Sequence, residues 1–166
     1  MSIPAPHFDP CCGSAEWLTP PALLRALGAF DLDPCAPVNS PWKTAETMLT
    51  VVDDGLAQPW SGRVWMNPPF GRGVDRWLAK LAAHGNGIAL LPARTETGPW
   101  FKYVWGVADA VAFVRGRPHF HRLDGERAAH NCGAAIALVA YGVPNAWALV
   151  NSGLGAVVLT RSAVPA

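Results

Sequence analysis

The tetrapeptide Asn67-Pro68-Pro69-Phe70 combines residue types suited to holding a planar group that carries an amino nitrogen. Two successive prolines fix the backbone and lack N–H donors, so the carbonyl groups that precede them remain available as hydrogen-bond acceptors. Asn67 adds a side-chain carbonyl, and Phe70 adds a flat apolar ring. Two acceptors for the amino hydrogens and a ring for stacking would direct the nitrogen lone pair at an electrophile. The motif therefore indicates group transfer to an exocyclic NH2 group.

Two further polar clusters follow predicted strands in the same way as this motif. The strand Phe30–Asp33 ends at an acidic residue, and Arg63–Met66 runs directly into Asn67. The apolar strand Ile88–Leu91 is followed by Arg94. In α/β sheets, ligands collect at the carboxyl ends of the strands. We therefore expect the three clusters to converge on one rim of a sheet.

Helices and strands alternate along the rest of the chain, which predicts a compact α/β fold. Apolar spacing predicts helices over 22–27, 74–83, 99–108 and 146–152, with Thr19 capping the first, and further strands over 49–52, 110–114, 134–141 and 156–159. Continuous apolar runs favour a mostly parallel sheet with helices on both faces. The late strands are joined by a loop without a helix and are expected to form an antiparallel edge pair.

Length and charge narrow the class of protein. The chain has 166 residues and a formal net charge of +1. That length suits a single domain with its own core, and the charge argues against a binder that relies only on phosphate neutralisation. Residues 1–62 carry seven acidic and two basic side chains, whereas residues 63–127 carry five acidic and ten basic ones. The two segments therefore suit a cationic and an anionic partner, respectively.

The cysteines and the apolar stretches favour a cytoplasmic protein that neither binds a metal nor enters a membrane. The four cysteines include no C-x-x-C pair, so free thiols are expected rather than a zinc site. Met1–Pro10 lacks the features of a signal peptide. The uncharged run Asn131–Thr160 is interrupted by Pro144 and by glycines, so its pieces are too short to cross a bilayer.

Seven segments, taken in chain order, resemble the bacteriophage-type DNA N6-adenine methyltransferases, the phage Dam-like family, which depend on S-adenosylmethionine. These segments are residues 16–21, 31–35, 53–60, 64–73, 90–95, 114–117 and 138–142. The resemblance spans about residues 15–142. It implies a single Rossmann-like methyltransferase domain over residues 16–166. The sequence of residues 1–15 itself predicts an irregular N-terminus before this domain.

The resemblance also implies roles for individual residues in methyl transfer to the N6 atom of adenine in DNA. The residues that match the catalytic motif are Asn67, Pro68, Pro69 and Phe70, of which the first two would hold the amino nitrogen and the last would stack on the base. The residues that match cofactor-binding positions are Trp17, Thr19, Asp33, Pro34 and either Asp53 or Asp54. Since S-adenosylmethionine is a cation, the acidic first segment would favour its binding.

The basic second segment supplies the expected contacts with DNA phosphates. These residues are Arg72, Arg76, Arg94, Arg115, Arg117 and Arg122. The substrate is expected to be duplex DNA, from which the target adenine must be flipped out of the base stack. Because residues 115–131 form the one long basic loop, we expect short or loose sequence specificity.

Two other functions remain open on the residues alone. RNA and protein-glutamine methyltransferases share the Asn-Pro-Pro-Phe tetrapeptide, so an RNA base or a glutamine amide is an alternative substrate. A catalytically inactive, nucleic-acid-binding phage protein is the other alternative, and the intact motif and Asp33 argue against it.

Overall fold

The computed structural model describes residues 17–71 and 73–160, so the N-terminal segment 1–15 and Arg72 lie outside the described residues. This part of the chain forms seven strands and four helices. In chain order they are α1 (Pro21–Leu27), β1 (Leu32–Asp33), β2 (Thr47–Met48), β3 (Val64–Met66), α2 (Val74–His84), β4 (Gly87–Pro92), α3 (Gly98–Tyr103), β5 (Ala110–Val114), β6 (Ile136–Tyr141), α4 (Val143–Asn151) and β7 (Gly155–Leu159).

The seven strands form one mixed sheet in the order β2-β1-β3-β4-β6-β5-β7. Strand β1 pairs in parallel with β2 and β3, and β3 pairs in parallel with β4. The longer pairings, β4 with β6, β5 with β6 and β5 with β7, are all antiparallel. The prediction of a mostly parallel sheet was therefore wrong, and antiparallel pairing extends to the middle of the sheet. The reason is that β6 inserts between β4 and β5 and runs antiparallel to both, while β7 pairs antiparallel with β5. The expected antiparallel pairing of the late strands β5 and β6 is confirmed, but β7, not this pair, forms the edge of the sheet.

The alternation of side chains along the strands gives the sheet two apolar faces, and helices cover both. In β4, Ile88 and Leu90 contact the cluster that contains the apolar residues of α1 and α4. The next residues, Ala89 and Leu91, contact the cluster that contains Leu78 of α2 and apolar residues of α3. The expectation of an α/β fold with helices on both faces is thus confirmed.

Several boundaries differ from those predicted. The prediction of a strand over 49–52 was wrong. Strand β2 covers Thr47–Met48, and residues 51–57 form turns. One of these turns holds Asp54 at a φ of 49°, a conformation that aspartate adopts more readily than most residues. The helix expected over 99–108 ends at Tyr103.

The uncharged stretch from Asn131 to Thr160 includes β6, α4 and β7. Its one helix, α4, has nine residues. Among the described residues, no helix combines the length and the apolar character that a membrane span needs.

Candidate active site

The strand order places a topological switch point between β1 and β3. From β1 the chain passes to β2 on one side and then returns to β3 on the other side of β1. Such points form a crevice outside the carboxyl ends of the strands, where α/β proteins bind ligands. Asp33 is the last residue of β1, and Asn67 directly follows β3. The structure therefore brings these two predicted site residues to the same crevice.

Asp33 is a buried carboxylate with two partners. Only 2% of the surface of Asp33 is exposed to solvent. One oxygen accepts a hydrogen bond from the Thr44 hydroxyl, and the other accepts one from the Cys35 N–H at 3.0 Å. Burial raises the pKa of the Asp33 carboxyl to about 6, while the hydrogen bonds from Thr44 and Cys35 lower it. At neutral pH the crevice thus holds a mostly ionised carboxylate that water screens poorly.

Thr44 is a site residue that the sequence did not reveal. It lies in the segment between β1 and β2, and only the folding of this segment back over β1 brings its hydroxyl to Asp33. No local motif or spacing signals such a contact, because it joins residues eleven positions apart through an irregular loop.

Cys35 connects the two sides of the crevice. Its N–H bonds to Asp33, and its sulfur accepts a hydrogen bond from the backbone of Asn67. Burial raises the pKa of the Cys35 thiol, and the charge on Asp33 raises it further. The thiol is therefore protonated at neutral pH, as a packing residue would be and a nucleophile would not.

The side chain of Asn67 points its amide nitrogen at the segment before α1. Nδ2 donates to the carbonyl oxygen of Trp17 at 3.3 Å and to Oγ1 of Thr19 at 3.2 Å. Thr19 was predicted to cap α1, but Pro20 occupies the cap position instead. The hydroxyl of Thr19 accepts a hydrogen bond from Asn67 and does not cap the helix. The prediction of a capping threonine was therefore wrong.

The rest of the tetrapeptide presents one buried, one exposed and one half-buried residue. Pro68 is buried and Pro69 is exposed. Phe70 is partly buried against the cluster that also contacts Trp17, so one part of its ring packs on the protein. The remainder of the Phe70 surface is exposed to solvent.

Asp53, Asp54 and Gly55 lie in the turn that follows β2. The Asp53 carboxylate accepts hydrogen bonds from the N–H and the hydroxyl of Thr50, at 2.7 and 2.9 Å, and these bonds lower its pKa. Asp54 is exposed. Gly55 packs so closely on Pro34 that a Cβ atom at Gly55 would lie 1.8 Å from the Pro34 carbonyl oxygen. The acidic turn therefore lies directly against the residue that follows Asp33.

Replacement of Gly55 by alanine is expected to destabilise this part of the fold. The new methyl group would overlap a backbone carbonyl, so the turn or the Pro34 segment must move, at a cost of about 1–3 kcal/mol and a fall of about 5–10 °C in melting temperature. Gly98→Ala is the matched control, because nothing lies within 4 Å of a Cβ atom added there. Equal melting temperatures for the two variants would contradict the close packing of Gly55.

The predicted DNA-binding arginines follow the carboxyl ends of several strands. Arg76 is exposed in the first turn of α2, and Arg94 is exposed just after β4. Arg115 and Arg117 are exposed immediately after β5, whose end lies at the same edge because β5 and β4 both run antiparallel to β6. Arg122 forms an ion pair with Asp124 at 3.1 Å. Exposed Arg127 belongs to the same basic loop, and its charge could have singled it out in the sequence.

The loop 115–131 is folded back on itself and attached to the segment before α1. Within it, Arg122 donates its N–H to the carbonyl of Glu126 at 2.9 Å. His121 and Leu18 exchange two backbone hydrogen bonds, at 2.9 and 3.0 Å. The basic loop is thereby joined to the segment before α1, whose residues Trp17 and Thr19 accept the hydrogen bonds from Asn67.

Two basic residues of the second segment have structural roles instead. Arg63 donates to the carbonyls of Leu27 and Ala29, at 2.9 and 2.7 Å, and its guanidinium lies over the Phe30 ring. Lys80 donates to backbone carbonyls of the turn after β2. The excess of basic residues in the sequence therefore overstates the charge that is free to meet DNA.

A family model described as DNA N-6-adenine-methyltransferase (Dam) matches residues 13–144 of the chain. The chain belongs to the Dam family. The matched region includes both Asp33 and Asn67, and it ends just after β6. No curated protein and no solved structure matches the chain significantly.

Membership in the Dam family decides between the functions that the residues alone left open. The chain is a DNA methyltransferase that acts on the N6 atom of adenine. An RNA base, a glutamine amide and a purely binding role are accordingly set aside. The resemblance to the phage-type members of this class is confirmed.

Proposed function

We propose that this Dam-family enzyme transfers a methyl group from S-adenosylmethionine to an adenine flipped out of duplex DNA, within one Rossmann-like domain over residues 16–166. The observation that carries the proposal is the meeting of Asp33 and Asn67 at the switch point between β1 and β3. The buried carboxylate of Asp33 and the residue Asn67 lie on either side of Cys35. That pair suits a cation on one side and an amino group on the other.

The chemistry of Asp33 fits S-adenosylmethionine, which carries an ammonium and a sulfonium group. Each oxygen of an ionised carboxylate has two acceptor positions. The hydrogen bonds from the Thr44 hydroxyl, the Cys35 N–H and the Cys35 thiol use three of these four positions. The remaining position suits a cationic ligand. Asp33 and Pro34 would hold its methionine part, and Thr19 and Trp17 would lie beside its carboxylate. Asp54 would contact its adenine, because the carboxylate of Asp53 is engaged by Thr50.

The protein would promote the reaction by positioning and by electrostatics. When bound, the cofactor supplies a methyl group made electrophilic by the sulfonium. Oδ1 of Asn67 and the carbonyl of Pro68 would accept the two N6 hydrogens and turn the nitrogen lone pair towards that methyl group. The ring of Phe70 would stack on the base. Because the N6 proton becomes acidic as the new bond forms, the chain needs no general base.

The exposed arginines would hold the DNA backbone around the crevice. Arg76, Arg94, Arg115, Arg117 and Arg122 would contact phosphates, as would Arg72. The free energy of these contacts would offset the cost of extruding the base, which is roughly a few kcal/mol. The expected place of action is the cytoplasm of a bacterial or phage-infected cell, where such DNA is found.

Arg115→Ala and Arg117→Ala are each expected to weaken DNA binding without changing cofactor affinity. The loss of one phosphate contact should reduce the salt dependence of log Kd by about one. Fluorescence anisotropy with a labelled duplex over a series of salt concentrations measures this slope. Arg25→Ala, which removes an exposed arginine of α1, is the control. Unchanged slopes for both loop variants would contradict their role in DNA binding.

Two binding measurements test the finer parts of the proposal. Calorimetry with S-adenosylmethionine should show one binding site per chain. If the titration releases or absorbs no heat, and the cofactor does not raise the melting temperature of the protein, the cofactor assignment is contradicted.

A duplex with 2-aminopurine at the target position should gain fluorescence on binding, because the base leaves the stack. Unchanged fluorescence with bound duplex would contradict base flipping.

A further inference from the structure

We propose that Thr19 is a positioning residue for Asn67, which fixes the amide so that its oxygen faces the substrate. The inference deepens the proposed function and depends on it, because it concerns how Asn67 is presented to the adenine amino group. The supporting observations are the two hydrogen bonds of Asn67 Nδ2, the burial of Thr19 and the anchoring of the segment that carries it.

The partners of Asn67 determine which way its amide points. The carbonyl oxygen of Trp17 can only accept a hydrogen bond, so the atom 3.3 Å from it must be the amide nitrogen. The second hydrogen of Nδ2 is directed to Oγ1 of Thr19 at 3.2 Å. Both hydrogens of the amide are therefore used within the protein. Oδ1 is left as the end that can accept a hydrogen from a substrate.

The reversed amide would oppose the reaction. A rotation by half a turn would place the Asn67 NH2 group against the incoming NH2 group, so that two donors would meet. It would also bring Oδ1 against the Trp17 carbonyl, where neither group can donate. Thr19 is 2% exposed and Asn67 is half-buried, so the hydrogen bond between them is partly shielded from water. A shielded hydrogen bond restricts rotation of the amide more than an exposed one does.

The segment that carries Thr19 is itself held from both sides. On one side, Leu18 and His121 exchange two backbone hydrogen bonds that tie the segment to the basic loop. On the other side, Pro20 and Pro21 lead directly into α1, and proline restricts the backbone at this point. The hydroxyl of Thr19 is thus fixed in space. It can orient Asn67 without contacting the reacting atoms.

The test compares Thr19→Val, which removes the hydroxyl and keeps the branched shape, with Thr19→Ser, which keeps the hydroxyl. We expect T19V to lower kcat by about 10–100-fold with little change in the KM for DNA, beyond any change in the Kd for S-adenosylmethionine that its place beside the cofactor carboxylate brings. T19S should recover most of that loss. Thr160→Val is the matched control, since it removes a threonine hydroxyl that donates to the Ala108 carbonyl at the end of β7.

A kcat for T19V within about twofold of the wild type would overturn the inference. A raised cofactor Kd with unchanged kcat would also overturn it, because Thr19 would then be a cofactor contact only. Thr19→Ala removes the same hydroxyl and is measured in parallel, so that a folding defect in one variant leaves the other to decide.

A stability measurement tests the hydrogen bond without any turnover. If Thr19 and Asn67 interact, the change in melting temperature of the T19V/N67A double variant should be smaller than the two single changes added together. Strictly additive changes would contradict the contact.

The failure of this inference can be distinguished from the failure of the proposed function. Wild-type protein that never methylates DNA would overturn both. An active wild type beside an equally active T19V would overturn this inference alone.

Discussion

Replacing Asn67 with alanine is expected to reduce methyl transfer by about 10²–10³-fold or more, since the variant loses a fixed acceptor at the nitrogen that becomes positively charged. The side chain lies at the crevice and is bonded through Nδ2 to Trp17 and Thr19, which leaves its oxygen to accept a hydrogen bond. Cofactor affinity should change by no more than about threefold, because the proposed anionic contact of the cofactor is Asp33 and not Asn67. Transfer of a labelled methyl group to a duplex, measured in a single turnover, gives the rate directly.

Asn151→Ala is the control for this experiment, because it removes the amide of an exposed residue at the end of α4. Its rate should match that of the wild type. An Asn67→Ala variant that is folded, binds both ligands and retains most of the wild-type rate would contradict the catalytic role of Asn67.

Replacing Asp33 with asparagine is expected to weaken S-adenosylmethionine binding by about 100-fold, because it removes the buried charge that would face the cation. The same change should leave the protein as stable as the wild type or more stable at about pH 7.5. Its hydrogen bonds can persist, since an asparagine oxygen can accept from the Cys35 N–H, and the Thr44 hydroxyl can reverse to accept from the new NH2 group.

The direction of the stability change follows from the pKa of Asp33, which burial raises from 3.8 to about 6. Below the lower value, the residue is protonated in both the folded and the unfolded chain. As the pH rises from about 4 to about 6, the unfolded chain releases this proton first, so the free energy of unfolding falls by on the order of 3 kcal/mol. Above about pH 6 this loss in the free energy of unfolding stays constant. A neutral asparagine at position 33 removes the loss, because it carries no charge to bury.

Thermal melts across this pH range and calorimetry with the cofactor give the two readouts. Asp109→Asn is the control, because the Asp109 carboxylate accepts a hydrogen bond from Gly142 N–H at 2.7 Å, away from the crevice. It should keep cofactor affinity and change stability little, because an asparagine oxygen can still accept the hydrogen bond from Gly142. A destabilised D33N variant with unchanged affinity would show that Asp33 is a structural residue.

Features set by short stretches of sequence could be predicted. The apolar run before Asn67 became β3, and the run that ends in Pro92 became β4. Because parallel strands share one edge, Asp33 and Asn67 were expected on the same rim, and the structure places them there. The acidic and basic segments likewise indicated two kinds of partner.

Features that depend on distant parts of the chain could not be predicted. The position of β6 between β4 and β5 is decided by pairing across the whole sheet, and single-strand patterns do not encode a neighbour. Thr44 and Thr19 reach Asp33 and Asn67 only after loops close. A threonine before two prolines has the sequence of a helix cap, and only its tertiary contact shows that its hydroxyl is used elsewhere.

The nucleoside composition of DNA exposed to the enzyme tests adenine methylation most directly. DNA from cells that express the wild-type protein, and from matched cells that express Asn67→Ala, is digested to nucleosides and analysed by mass spectrometry. We expect N6-methyladenine in DNA to rise with the wild type and to stay at background with the variant. No rise with a wild-type protein that is folded and binds S-adenosylmethionine would contradict its action as a DNA adenine methyltransferase.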